Sequence, residues 1–211
     1  VAQLRGISAA RMANLSSDQS KALSQSPVAA LTAAQLNGLT TGVTGAIGAL
    51  DTQDINGISN NVLRQLNTSF IAAMSSNQIS NLNTAKIKVL SSAQIRAIET
   101  EDLVTMSSAQ LQALGTLQVS SLSTDQIQAL GTDQINKLTS DQVKALTTAQ
   151  GSVISSNQLS AMTTDQIRAF SASLLNSLTS DAIHIMDSAA LAALTTNQVR
   201  GLSTTFIDTL S

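Results

Sequence analysis

The chain has no cysteine, tryptophan or tyrosine, one proline, one histidine and three phenylalanines in 211 residues. Each shortage removes a class of chemistry. Without cysteine there are no disulfides and no thiolate metal sites. Phe70, Phe170 and Phe206 are too few and too scattered to make a stacking platform for single-stranded nucleic acid. Charged residues are 11% and the net charge is −2, so there is no basic stripe to follow a phosphate backbone. No apolar run approaches the length of a membrane span. Nor does the N-terminus have a charged start followed by an apolar stretch; the chain opens on Val1 in mid-repeat, as a processed form or a fragment would.

What the chain has in abundance is repetition. Residues 122–146 read LSTDQIQALGTDQINKLTSDQVKAL, nearly the same phrase three times. Octads run from Ser8 to Leu39, break for a three-residue insertion at Thr40 to Gly42, and continue to Leu210, making 25 units. The consensus is [ST]-[ST]-x-Q-[ILV]-x-x-L. Position 8 is Leu, Ile, Met or Phe, and position 5 is apolar in 23 of the 25 units, failing only at Ser20 and Gly151. An apolar pair at i and i+3 followed by a gap of five suits neither a strand nor a coiled coil. On one long helix the stripe would drift by about 80° per octad. The pattern predicts short, separate helices.

Three signals place their starts. Position 1 is Ser, Thr, Asn, Asp or Gly in every unit but two, Val43 and Glu99, and these five residue types favour the N-cap. Ser or Thr at position 1 with Gln at position 4 is a capping box, and the preceding Leu with position 5 is a hydrophobic staple; Ser123 with Gln126 and Leu122 with Ile127 illustrate both. Charge is also sorted: 12 of 13 acidic residues fall at positions 1, 3 or 4, and 9 of 11 basic residues at positions 6 or 7, as the helix dipole favours. Asp18 with Lys21, Asp141 with Lys144 and Asp165 with Arg168 are spaced to pair. Helices from position 2 to about position 7 or 8 follow, with a cap at position 2 as the alternative.

Helices this short are marginal alone, so neighbours must hold them. The expected fold is an all-α solenoid, or superhelix, of about 25 short helices, one per octad. It forms a single continuous array over residues 1–211, with an irregular Gly-rich insertion near 40–50 that acts as a bend, loop or seam. Positions 5 and 8 form its core and position 7 is kept small at close approaches. Gln occupies position 4 in 13 units. It reads either as a capping-box residue alone or as a ladder of amides bonding between neighbouring units. Pro27, at position 4, falls in a first turn that tolerates it.

No residue is assigned a catalytic, cofactor-binding or metal-binding role, and no cofactor is expected. His184 sits at the exposed position 6 with no oriented partner. Asp54, Asn56 and Gly57 have the mutual spacing of a calcium loop, but Leu63 falls where its acidic twelfth residue belongs.

The phrases LSTDQIQAL, LTSDQVKAL, LTTAQ and MTTDQIRAF resemble the L-T-x-x-Q-I-x-x-L runs of very large, repetitive bacterial proteins of the cell surface or extracellular medium. The resemblance covers almost the whole chain. It implies a secreted structural segment such as a stalk, fibre or adhesin region, and supplies no catalytic residues. The leading expectation is a non-enzymatic spacer or self-assembling filament subunit, with another copy of itself as partner and neither nucleic acid nor a membrane span. A solenoid binding module for a peptide, protein or glycan is the alternative.

Overall fold

The computed structural model describes residues 6–16, 18–19, 23, 28–41 and 46–210. Among them are twenty-two α-helices of four to six residues, two 3-10 turns and no strand. From Thr52 onward each octad holds one helix, and every one begins at position 2, behind an extended position-1 residue; Ser123 has φ −70° and ψ 162°. The cap is therefore at position 1. Helices end at positions 5 to 7, slightly shorter than the sequence predicts. Thr124–Ala129 stops at Leu130, which is extended at φ −59°, ψ 128°. Position 8 leaves the helix because its side chain must turn into the core while its backbone enters the next cap.

The staple and cap work together. The position-8 N–H still bonds the position-5 carbonyl, as Leu130 does with Ile127 at 3.3 Å. Both side chains are buried, and so are their equivalents in nearly every described octad. The expected core column is therefore present, built from two aliphatics per octad.

The chain divides into two compact units, residues 1–106 and 107–211. In each, helices pack not on their sequence neighbours but on the helix three octads away. In the first, Thr52–Gly57 packs on Ser76–Ser80, and Ser76–Ser80 on Thr100–Leu103. In the second, Ser140–Lys144 packs on Thr164–Ala169, and Ser156–Ala161 on Ser180–His184. Each unit is an all-α solenoid with three octads to the coil. Position 7 lies against position 2 of the coil beneath: a Cβ on Gly38 would come within 2.4 Å of the Ala9 carbonyl oxygen, and one on Gly201 within 2.5 Å of Ala172 Cβ.

The 3-10 turn Leu39–Thr41 takes up the first residues of the insertion, and Gly48 lies in a turn. Pro27, Ser20, Lys21, Val43 and the insertion's Gly42 and Gly45 lie outside the described residues. Gly151, the other exception at position 5, has a direct cause. A Cβ there would meet Ser177 Oγ at 2.3 Å and Leu174 Cδ1 at 2.6 Å. Leu174 occupies position 4 three octads later, where Gln is usual, and fills the volume that a position-5 side chain takes elsewhere.

Candidate functional site

The chemistry concentrated in the interior is that of the position-4 glutamines. Buried amides need partners for both ends, and these have them. Gln158 Oε1 accepts the Ser155 N–H at 2.9 Å, while Ser155 Oγ accepts the Gln158 N–H at 3.2 Å, completing the box. Its Nε2 then donates to the carbonyls of Leu130 at 2.7 Å and Ile127 at 2.8 Å, 28 and 31 residues earlier. Gln78 repeats this with Ser75, Leu50 and Ile47. Gln94 does so with Ser91, Leu66 and Leu63, and Gln142, Gln150, Gln166 and Gln198 follow the same offsets.

The two readings of position 4 are thus both true of one side chain. The oxygen caps its own helix and the nitrogen binds the coil beneath. Of the two acceptors, the position-8 carbonyl lies just past the helix end and gains its donor from the amide, while the position-5 carbonyl accepts the amide in addition to the position-8 N–H of its own octad. The ladder joins octads that are adjacent in space, not in sequence. At Gly115 and Gly131 only half the box exists, because glycine has no side chain to return the bond; Gln118 and Gln134 still accept from their N–H groups.

Substitutions at position 4 follow the same geometry. Lys86 Nζ reaches the Ile58 carbonyl and, at 3.0 Å, Asn60 Oδ1, and burial lowers its pKa. Asp102 has no hydrogen to offer carbonyls and accepts instead from the Ser76 hydroxyl at 2.5 Å. Asp54 is less well served: its Oδ2 is buried without a partner, and burial, then the nearby Asp51 charge, raises its pKa.

A second set of bonds is one that sequence reading missed. Asn at position 6 clamps the coil above it. Asn56 donates to the Asn81 carbonyl at 2.8 Å and accepts the Asn83 N–H at 2.9 Å. Asn176 holds Gly201 and Ser203 in the same way. Asn37 holds Gln65 and Asn67 at offsets longer by three, the length of the insertion between them. In each case the octad receiving the clamp lacks Gln at position 4, carrying Lys86, Phe206 or Phe70 instead. Its cap N–H is therefore served by the coil beneath. Asn136 is the converse: Thr163, which stands to it as Asn83 does to Asn56, is already bonded to Gln166, and Asn136 Oδ1 is buried without a partner. Comparing each position 6 with the cap it faces, at the separation of Asn56 from Asn83, would have exposed this correlation in the sequence.

The remaining polar candidates do not converge. His184 is exposed at the end of Ser180–His184. Asp54, Asn56 and Gly57 lie within the helix Thr52–Gly57, not in a cation-binding loop. Among the described residues no three His, Cys, Asp or Glu side chains group to hold a metal, and no helix is long and apolar enough to cross a membrane. Arg168 directs its Nε to the Ala193 carbonyl at 3.2 Å.

No curated protein matches the chain. Residues 47–84, 95–132 and 122–148, less than half of the chain, match a family model described as the ALTTAQ repeat. Residues 145–150 spell those six letters, and each now has a place: core Leu146, cap Thr147 and ladder Gln150. Over these stretches the chain is similar to the ALTTAQ repeat, and it is a repeat protein.

Proposed function

We propose that this chain is a non-enzymatic structural segment: a solenoid spacer that extends by stacking coil on coil. The observation that carries this reading is how the interior polar groups are used. The described ladder amides spend their hydrogen bonds on the backbone of their own octad and of the coil beneath, leaving no converging acid, base or nucleophile. The repeat family supports a structural role.

Coil-on-coil stacking, with further octads of the same repeat or with a second copy, is the mode of assembly we favour. At position 5, Ile127, Ile135 and Val143 are fully buried, whereas Val199 is 52% and Ile207 49% exposed. Those two side chains present the same apolar chemistry that covers each internal coil. The setting is an extracellular or cell-surface one in a bacterium, as the octad resemblance implies, within a stalk, filament or adhesin. Sedimentation velocity across a dilution series tests the assembly: concentration-dependent association that V199D/I207D abolishes supports it, and a monomer at all concentrations refutes it. Protease treatment of intact cells tests the location.

A further inference from the structure

We propose that the cavity beside Ala190 is a binding site for a primary carboxamide. It has a volume of about 140 Å³ and is lined by Leu159, Met162, Ile167, Met186, Asp187 and Ala190, among others. An apolar cavity of about 150 Å³ accepts a guest the size of benzene, so there is room for a small amide.

The site follows from the ladder. Ala190 is the position-4 residue of its octad, where Gln is usual. At the offsets of Gln158 from Leu130 and Ile127, a Gln here would donate to the carbonyls of Met162 and Leu159. Its oxygen would accept the Asp187 N–H, as Gln158 accepts that of Ser155. Met162, Leu159 and Asp187 all line the cavity. The Met162 carbonyl and the Asp187 N–H have no hydrogen-bond partner among the described residues, and the Leu159 carbonyl receives only the Met162 N–H at 3.1 Å. The Asp187 carboxylate is turned to its own helix, accepting from Ala190 N at 2.7 Å. Phe70, Leu174, Ala182 and Phe206 each seal an apolar position 4, whereas Ala190, like Val62, is only half-buried, and of these two Ala190 is the one that lines a cavity. Ser188–Ala192 is also the one described α-helix without a buried residue.

The same comparison selects the ligand. An ammonium can serve the carbonyls, as Lys86 does, but it cannot accept the cap N–H; in that octad Asn56 Oδ1 takes it. The residue that stands to Asp187 as Asn56 does to Asn83 is Ser160, which is too short to substitute for it. A ligand must therefore donate twice and accept once, as a carboxamide does. The amide is free, or is carried on the glutamine side chain of another polypeptide.

The chain has five methionines, so methyl-labelled methionine in the intact protein reports the site directly. Propionamide should shift the Met162 and Met186 methyl signals saturably, with a midpoint in roughly the millimolar range for so small a ligand, leaving Met12, Met74 and Met106 unmoved. Propylammonium and 1-propanol should not. Ala190→Gln should abolish the shifts and raise Tm, and Ala190→Met, which fills the space without an amide, should abolish the shifts alone. The tripeptide Gly-Gln-Gly binding more tightly than propionamide would point to a polypeptide side chain, and weaker binding to a free amide. Absence of saturation, equal shifts with the ammonium or the alcohol, or binding that survives both substitutions would overturn the assignment.

Discussion

Replacing Gln158 by Glu changes one NH2 to oxygen and almost nothing else in shape. The side chain is buried, with its Nε2 between the carbonyls of Ile127 and Leu130. A carboxylate there keeps the cap bond to Ser155 but sets a negative oxygen against two carbonyl oxygens. The Ile127 carbonyl keeps the Leu130 N–H, but the Leu130 carbonyl and the introduced carboxylate oxygen are both left without a donor, each costing about 1–3 kcal/mol, so at neutral pH the variant should lose about 2–6 kcal/mol. That is a large part of the roughly 5–15 kcal/mol typical of a domain. The loss should depend on pH. Burial and the facing carbonyls raise the folded pKa of the introduced carboxyl above its unfolded value of about 4.3. Below that value the group is protonated in both states and its hydroxyl can bond one carbonyl, so most stability is retained. As pH rises through the folded pKa, that stability is lost. Urea unfolding followed by circular dichroism should therefore separate variant and wild type little near pH 3.5 and widely at pH 7, while Gln158→Met should show a loss that does not vary with pH. A Gln158→Glu variant as stable as wild type at pH 7, or one with a pH-independent deficit, would refute the ladder as a source of stability.

Gly151 and Leu174 should behave as a pair: G151I alone overpacks the site and costs about 1–3 kcal/mol, while G151I/L174Q restores the usual residues and recovers most of it in a double-mutant cycle. Additive single effects would show that the contact carries no coupling. Asp54→Gln should raise stability at pH 7 by about 0.5–2 kcal/mol. Because the Asp54 pKa is raised, wild type loses ground as pH climbs through it, so the gain should fade in acid when Tm is compared across pH. Lys86 has the opposite sign: its lowered pKa means that wild-type stability rises as pH goes from the folded pKa towards the unfolded 10.5, and Lys86→Gln should remove that alkaline slope. Asn176→Ala should cost about 1–2 kcal/mol for two lost bonds, and Asn136→Ala close to nothing; equal losses in thermal melts would count against the clamp.

Whatever lies within one octad was legible in the residues. The cap at position 1, the box from position 4, the staple and the two-residue core all involve groups close together along the chain, so spacing alone specifies them. Gly115 and Gly131 were informative for this reason, since cap preference is the trait they share with Ser and Thr. The amide nitrogens were not legible. Gln158 finds its acceptors 28 and 31 residues away, and that distance depends on how many octads close a coil. The Asn clamps, the exchange of volume between Gly151 and Leu174, and the cavity beside Ala190 depend on the same number.

The sequence by itself therefore determined a chain of capped miniature helices, each with an apolar pair facing one way, because capping and stapling are local bonds. Tertiary structure decided that three octads make one coil. That number depends on the angle turned at each extended position 8 and on which carbonyls the next coil's glutamines can reach. Both are fixed only when coils pack, because neither acceptor nor contact surface exists until the coil beneath is in place.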